Sequence, residues 1–143
     1  MKIDPKNGIA DLIFGMKMTH VEHLLGEPDR QFHDEDDNVI YLYNKQKLRL
    51  TFYADEDLRF GYAITSHPNA TLLGQAIIGK PIGEVIESLP FTTWETEDFD
   101  SVTNHFNDSN WLTIQSEFGA IIRVEIGALI DDATDSFIWR FKG

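Results

Sequence analysis

Apolar residues in this chain switch between two spacings, one typical of helices and one typical of strands. Spacings of three and four residues over 18–25 and 82–89 predict two short amphipathic helices. After each helix, apolar and polar residues alternate in three successive segments, and this alternation predicts β-strands. The predicted strands lie at 38–43, 47–53, 58–66, 101–107, 111–117 and 120–126.

The two helix-and-strand patterns align with one another when the sequence is shifted along itself. Residues 12–64 then match 76–128 without a gap, and the apolar positions of the two segments coincide. A period of this length indicates two copies of one supersecondary unit. We therefore predict a single domain over 1–143 that contains both copies, with an additional C-terminal strand at 136–141.

The predicted fold class is α+β, with two tandem helix-plus-three-strand repeats forming one antiparallel sheet and the helices on one face. Alternation on the second strand points Leu48, Leu50 and Phe52 towards the helices. Tyr, Trp and Arg on the other, open face are typical of binding hot spots, and exposed aromatic residues also stabilise strands by cross-strand pairing. The predicted open face consists of Tyr41, Tyr43, Arg49, Tyr53, Arg59, His105, Trp111, Gln115, Glu117, Arg123 and Glu125.

The net charge of the chain limits the classes of molecule that it is expected to bind. The chain has 24 acidic and 12 basic residues and a net charge of −12, a balance that repels nucleic acid and anionic membranes. The same charge keeps a protein soluble, and it also attracts a basic protein partner. Nothing in the sequence specifies an oligomeric state.

The amino-acid composition also indicates the cellular location of the protein. The chain contains no cysteine, which excludes disulfides, thiolate metal sites and cysteine nucleophiles. No apolar run is long enough to span a bilayer. The segment 1–7 lacks the apolar stretch of a secretion signal. We therefore expect a cytoplasmic location.

Two acidic loops coincide under the sequence shift. Asp34 matches Asp98 and Asp36 matches Asp100. Equivalent acidic loops suit a clamp on a basic partner, and they are equally compatible with ordinary solvated turns. We include all four carboxylates among the predicted partner-binding residues.

No catalytic or metal-binding set is predicted. His20 and His23 lie one turn apart on the first helix, but no third ligand follows them at a suitable spacing. The chain also lacks the nucleotide-binding, nucleophile-elbow and zinc-protease motifs. We predict no catalytic residues, no cofactor and no metal.

The segment 13–29 (IFGMKMTHVEHLLGEPD) resembles a signature of small outer-membrane-assembly lipoproteins of the SmpA/OmlA family. The same unit, doubled in tandem, builds the β-lactamase inhibitor protein, which is similar to this chain in length class, acidity and aromatic-rich sheet. The resemblance implies a scaffold of two tandem copies of this unit, in which the open face of the sheet binds another protein. Small acidic chains of this kind also resemble immunity proteins of bacterial toxins.

Together these observations predict a non-enzymatic protein-binding inhibitor, most concretely an immunity protein that neutralises a basic toxin by occluding its active site. Two alternatives stay open: a small-ligand-binding protein or enzyme that uses the open sheet face, and an envelope-assembly adaptor. The predicted partner-binding residues are Tyr41, Tyr43, Arg49, Tyr53, Trp111, Glu117, Arg123, Glu125, Asp34, Asp36, Asp98 and Asp100.

Overall fold

Antiparallel β-structure dominates the computed structural model, which describes residues 1–143. The helices are α1, Met18–Leu25, and α2, Ile82–Ser88. An antiparallel sheet contains eight strands: β4 (Arg30–His33), β5 (Val39–Tyr43), β6 (Leu48–Tyr53), β7 (Arg59–Thr65), β10 (Trp94–Phe99), β11 (Val102–Asn107), β12 (Leu112–Glu117) and β13 (Ala120–Gly127). Their order across the sheet is β10-β11-β12-β13-β7-β6-β5-β4. The predicted antiparallel sheet is thus confirmed.

Seven short strands lie outside the large sheet. They are β1 (Lys2–Asp4), β2 (Gly8–Ile9), β3 (Leu12–Ile13), β8 (Thr71–Leu72), β9 (Gln75–Ala76), β14 (Ile130–Asp131) and β15 (Ser136–Phe137). Five of them form a sheet with the order β3-β2-β1-β8-β9, in which β1 and β8 are parallel, and β14 pairs with β15 as a separate hairpin. The predicted terminal strand at 136–141 is thus shortened to β15.

The predicted fold class is wrong. Four strands of the large sheet follow each helix, where the sequence predicted three, and the five-stranded and two-stranded sheets belong to no predicted repeat. The tandem helix-plus-three-strand description is therefore unsupported. The strands it missed, β4 and β10, are the two edges of the large sheet, and their mostly exposed residues lack an apolar stripe that alternation would reveal.

The core joins one face of the large sheet to the five-stranded sheet and the helices. Phe60 packs against Phe14 and Phe52, with ring centroids 4.9 and 6.1 Å away, and all three side chains are fully buried. Each helix contributes a single buried residue, Val21 in α1 and Val85 in α2. Sheet residues therefore supply most of the buried apolar surface.

Two β-bulges change which side chains face the core. In the first, Gly61 on β7 is the extra residue opposite Thr51/Phe52 of β6, and in the second, Ile122 on β13 is the extra residue opposite Gln115/Ser116 of β12. At the first bulge, Phe60 and Ala63 are both buried, so the intervening Tyr62 faces away from the core. An uninterrupted alternation from Phe60 would instead place Tyr62 on the helix side.

Candidate binding surface on the open face of the sheet

The open face, defined as the side of the large sheet away from the helices, is polarised in charge. Cross-strand register joins one residue from each strand into a row across this face. Cations occupy the β4–β6 end of the row, and carboxylates occupy β13 and β10. The row is Arg30, Leu42, Arg49, Ile64, Glu125, Thr113, Phe106 and Glu95.

A cavity of about 460 Å³ lies on the positive half of this face, and we name it the basic cavity. Lys47, Arg49 and Arg123 supply its charge, and no Asp or Glu lines it. The complete lining is Leu42, Tyr43, Asn44, Lys47, Leu48, Arg49, Ile64, Ser66 and Arg123. Arg49 and Arg123 were predicted site residues, whereas Lys47, the first residue of the predicted strand 47–53, was not included among them.

A cavity of about 290 Å³, the acidic cavity, lies on the negative half. Its lining contains three carboxylates and no Lys or Arg: Glu95, Thr96, Glu97, Asn104, Phe106, Thr113 and Glu125. The Tyr62 hydroxyl donates a 2.5 Å hydrogen bond to Glu125 Oε1. Burial first, and the Glu125 charge second, raise the pKa of Tyr62 well above its ordinary value, so Tyr62 remains a donor.

Sequence reasoning missed two of the three carboxylates in the acidic cavity. Glu95 and Glu97 lie on β10, a segment interpreted as a loop. Alternation of glutamate with other side chains over 94–98 was the available signal. It was weak because the residues between the glutamates are mostly exposed and not uniformly apolar.

Trp111 connects the acidic cavity to a second group of carboxylates. Its side chain is 37% exposed, and its ring meets Phe106 edge-on at 5.3 Å. A Cβ at position 127 would lie 2.3 Å from Trp111 Cδ1, so Gly127 makes room for the indole. Trp111 also lines a cavity of about 360 Å³ with Asp108, Ser109, Leu129, Ile130, Asp132 and Asp135.

Three residues assigned to the open face lie on the core side instead. Tyr41 and Tyr43 are buried, and their hydroxyls donate to Glu22 Oε2 at 2.8 Å and to the Gly26 carbonyl at 2.9 Å, both at α1. His105 lies 3.0 Å from the Ser116 hydroxyl. The sequence-based assignment of Tyr41 and Tyr43 to the open face assumed that Leu42, which lies between them on β5, points into the core. In the structure Leu42 instead lies between Arg30 and Arg49 on the open face, so both tyrosines point into the core.

Burial in the core raises the pKa of the Tyr43 hydroxyl to about 12.

Two further open-face predictions are occupied by contacts within the chain. Tyr53 stacks on Phe137 at 5.3 Å, and Phe137 stacks on Trp139 at 4.9 Å. Burial of the Tyr53 side chain, to which Phe137 contributes, raises the pKa of Tyr53 to about 12. The Arg59 guanidinium donates to the Gly15 carbonyl at 3.0 Å. Both side chains therefore have contacts within the chain, and the role of Tyr53 in partner binding stays a prediction.

The two acidic loops do not meet. β4 and β10 are opposite edges of the sheet, about 34 Å apart for seven strand spacings of about 4.8 Å. Asp34 accepts hydrogen bonds from the Asp36 and Asn38 amides and so closes the β4–β5 turn. Burial alone would raise the pKa of Asp34, but these hydrogen bonds hold it below its usual value.

The acidic residues of the second half have local partners or remain exposed. Asp98 accepts from the Thr103 hydroxyl at 2.6 Å, and Glu117 accepts from Ser101 at 2.8 Å. Asp100, like Asp36, is an exposed turn residue. The clamp that the sequence shift suggested therefore does not form on one surface, although each carboxylate's role in binding stays a prediction.

No group of three or more His, Asp or Glu side chains is arranged to hold a metal ion. His20 Nδ1 accepts the Lys17 amide at 3.0 Å, and the His20 ring packs on Phe141. Neither helix combines the length and apolar character needed to cross a membrane.

His105 gives the stability of the protein a pH dependence. Burial lowers its pKa below the ordinary value of 6.5, and the nearby Asp98 offsets this only in part. Because the unfolded chain then binds the proton more tightly, the contribution of His105 is complete above pH 6.5 and is lost as pH falls through the folded-state value.

We therefore expect the urea midpoint to fall less for His105→Gln than for the natural chain between about pH 7.5 and about pH 5. Glutamine retains a hydrogen-bonding group for Ser116 without titrating. Unfolding curves at the two pH values measure this difference, and an equal fall in both proteins would show that His105 titrates normally.

No protein-family model matches this chain, and no curated protein matches it in sequence. Two solved structures are similar. An extracellular protein containing an SCP domain, from Bacillus anthracis strain Ames, gives a TM-score of 0.55 at 13% identity, covering 92% of this chain and 51% of that chain. A cysteine-rich secretory protein from Staphylococcus aureus strain Mu50 gives a TM-score of 0.55 at 11% identity, covering 87% and 46%.

These similarities overturn two predictions. They contradict the resemblance to the SmpA/OmlA lipoproteins, the β-lactamase inhibitor protein and immunity folds, because the similar structures are SCP-domain and secretory proteins. Their descriptions as extracellular and secretory also point away from the predicted cytoplasmic location, which we withdraw. This chain spans about half the length of the two solved structures, and at such low identity the likeness is one of fold.

Proposed function

We propose that this chain is a non-enzymatic protein-binding module whose open sheet face contacts a basic surface of its partner around Trp111. The observation that carries the proposal is the position of Trp111, a part-exposed indole between two cavities lined with carboxylates. In its most concrete form the partner is a toxin, and binding occludes the toxin's active site.

Aromatic anchors surrounded by charge are effective in protein recognition. A Trp side chain buries a large rigid surface at a small entropic cost and is enriched at hot spots. Carboxylates around it attract a basic partner and accelerate association. Asp108, Asp132 and Asp135 surround Trp111 on one side, and the acidic cavity lies on the other.

Replacing Trp111 by alanine is expected to weaken partner binding by about 2 kcal/mol or more, or about thirtyfold in Kd, because the variant loses the anchor. Partner capture from both the lysate and the secreted proteins of the source cells, followed by calorimetric titration of the captured protein, measures the change. Secreted proteins are included because the similar structures are described as extracellular and secretory.

Phe118→Ala is the matched control. Phe118 is 88% exposed in the β12–β13 turn, at the other end of β12 from Trp111. Its loss is expected to leave affinity unchanged. Equal affinity of the Trp111→Ala variant and the natural chain would remove Trp111 from the interface. Capture of a metabolite instead of a protein would favour the small-ligand alternative.

A further inference from the structure

The cations of the basic cavity lack acidic partners in a chain with twice as many acidic as basic residues. The structure contains one ion pair, Lys17 with Asp57. Lys47, Arg49 and Arg123 are exposed and converge on one cavity without an acidic lining residue. Arg49 helps to lower the pKa of Asp34 across space, but forms no ion pair with it. An unpaired cluster of this kind leaves an electropositive area on an otherwise acidic protein.

Arg30 extends this cluster to the sheet edge. The guanidinium carbons of Arg30 and Arg49 lie 5.2 and 5.7 Å from the centroid of the Phe32 ring, within the range of cation–π attraction. The shared ring holds both guanidinium groups over the open face. The N–H groups of both guanidinium groups remain available to bind oxygen ligands, because neither arginine forms an ion pair within the protein.

The spacing of the arginines favours an extended ligand. Arg30 on β4, Arg49 on β6 and Arg123 on β13 are each two strands apart in the sheet order, which is about 10 Å per step. A single carboxylate or phosphate cannot contact all three. A peptide in the extended polyproline II conformation advances about 3.1 Å per residue and has three residues per turn, so acidic side chains three residues apart lie on one side and match the steps.

We propose that the basic cavity, together with Arg30, binds an acidic extended segment of a protein partner. The proposal rests on the proposed protein-binding function but uses different residues of the same face. Guanidinium forks bind carboxylates in a bidentate manner. Leu42 and Ile64, which flank Arg49 in the row, offer apolar contact for the methylene groups of bound glutamates.

The change of sign along the row limits the ligand to a short anionic stretch. Beyond Ile64 the row continues to Glu125 and ends at Glu95, so a long uniform polyanion such as nucleic acid would meet carboxylates. A protein segment whose acidic side chains lie only at Arg30, Arg49 and Arg123, with uncharged residues next to Glu125, avoids this repulsion. Charge complementarity therefore selects a protein segment over a nucleic acid.

The test uses a fluorescein-labelled peptide of about twelve residues with glutamate at every third position, and the same peptide with glutamine. Fluorescence anisotropy is recorded with the full chain at about 25 and about 300 mM salt. We expect the glutamate peptide to bind and the glutamine peptide not to bind. The affinity of the glutamate peptide is expected to be lower at the higher salt concentration. The double variant R49Q/R123Q is expected to lose at least about tenfold in affinity, whereas K80Q/K142Q, which alters exposed cations outside the basic cavity, retains the natural value.

Four results would overturn the proposal. The first three are equal binding of both peptides, unchanged affinity of R49Q/R123Q, and tighter binding of a single-stranded oligonucleotide that the same variant abolishes. Self-association of the natural chain that R49Q/R123Q removes would also overturn it, since the occupant would then be a second copy. Melting temperatures confirm that each variant is folded.

The Trp111→Ala variant separates this proposal from the proposed function. Its peptide affinity is expected to equal that of the natural chain, since Trp111 does not line the basic cavity. Peptide binding without any effect of Trp111→Ala on the partner would contradict the proposed role of Trp111 alone. Loss of the partner in that variant without peptide binding would contradict the basic-cavity proposal alone.

Discussion

Replacing Phe60 by alanine is expected to lower the free energy of unfolding by about 3–5 kcal/mol. Phe60 is fully buried and lies between the Phe14 and Phe52 rings. Its backbone also joins β7 to the segment before α1, because its amide donates to Met16 and its carbonyl accepts from Gly15. A cavity at this position therefore weakens the contact between the large sheet and the first segment of the chain.

Urea unfolding followed by tryptophan fluorescence and by circular dichroism measures the loss. Phe118→Ala again serves as the control, because its 88% exposed ring contributes little packing, and its effect is expected to stay within about 0.5 kcal/mol. A loss below about 1 kcal/mol for Phe60→Ala would mean that the region collapses around the missing ring without a cavity.

Replacing Gly61 by alanine is expected to destabilise the protein by about 1–3 kcal/mol through overpacking. A Cβ at this position would lie 2.2 Å from Tyr53 Cε2 and 3.4 Å from Trp139 Cη2. Tyr53 cannot yield freely, because its other contacts include the stacked ring of Phe137. The clash therefore displaces the Tyr53–Phe137–Trp139 stack that covers this part of the sheet.

Two variants show whether the clash is the cause. Gly61→Ala in a Tyr53→Ala background is expected to cost much less, since the double-mutant cycle removes the contacting ring. Gly83→Ala places a methyl group on α2 with no heavy atom within 4 Å, and it is expected to stabilise the helix by about 0.5–1 kcal/mol. An equal cost of Gly61→Ala in both Tyr53 backgrounds would assign the effect to the backbone.

The polarised open face has a consequence for specificity. A partner must match a positive half centred on Arg49 and a negative half centred on Glu125, which lie two strands apart in one row. Like charges brought together in the reversed orientation cost several kcal/mol. For the proposed protein partner, this face would therefore select both its identity and its orientation.

The sequence by itself determined those helices and strands whose apolar residues recur at a regular spacing. Both helices and the strands β5, β6, β7, β11, β12 and β13 lie within a few residues of their predicted positions. Alternation also placed Leu48, Leu50 and Phe52 in the core, where the structure confirms them. These features depend on neighbouring residues only, and a period of two or 3.6 residues records them.

Only the tertiary structure decided the open face and its charge pattern. Tyr41 and Tyr43 turn towards α1 because a tyrosine ring is buried at little cost when its hydroxyl finds an acceptor there. Leu42 consequently faces outwards between two arginines, and a bulge turns Tyr62 onto the same face as Glu125. The positive and negative halves exist because strands distant in sequence lie side by side in the sheet, whereas composition records only the net charge of the whole chain, −12.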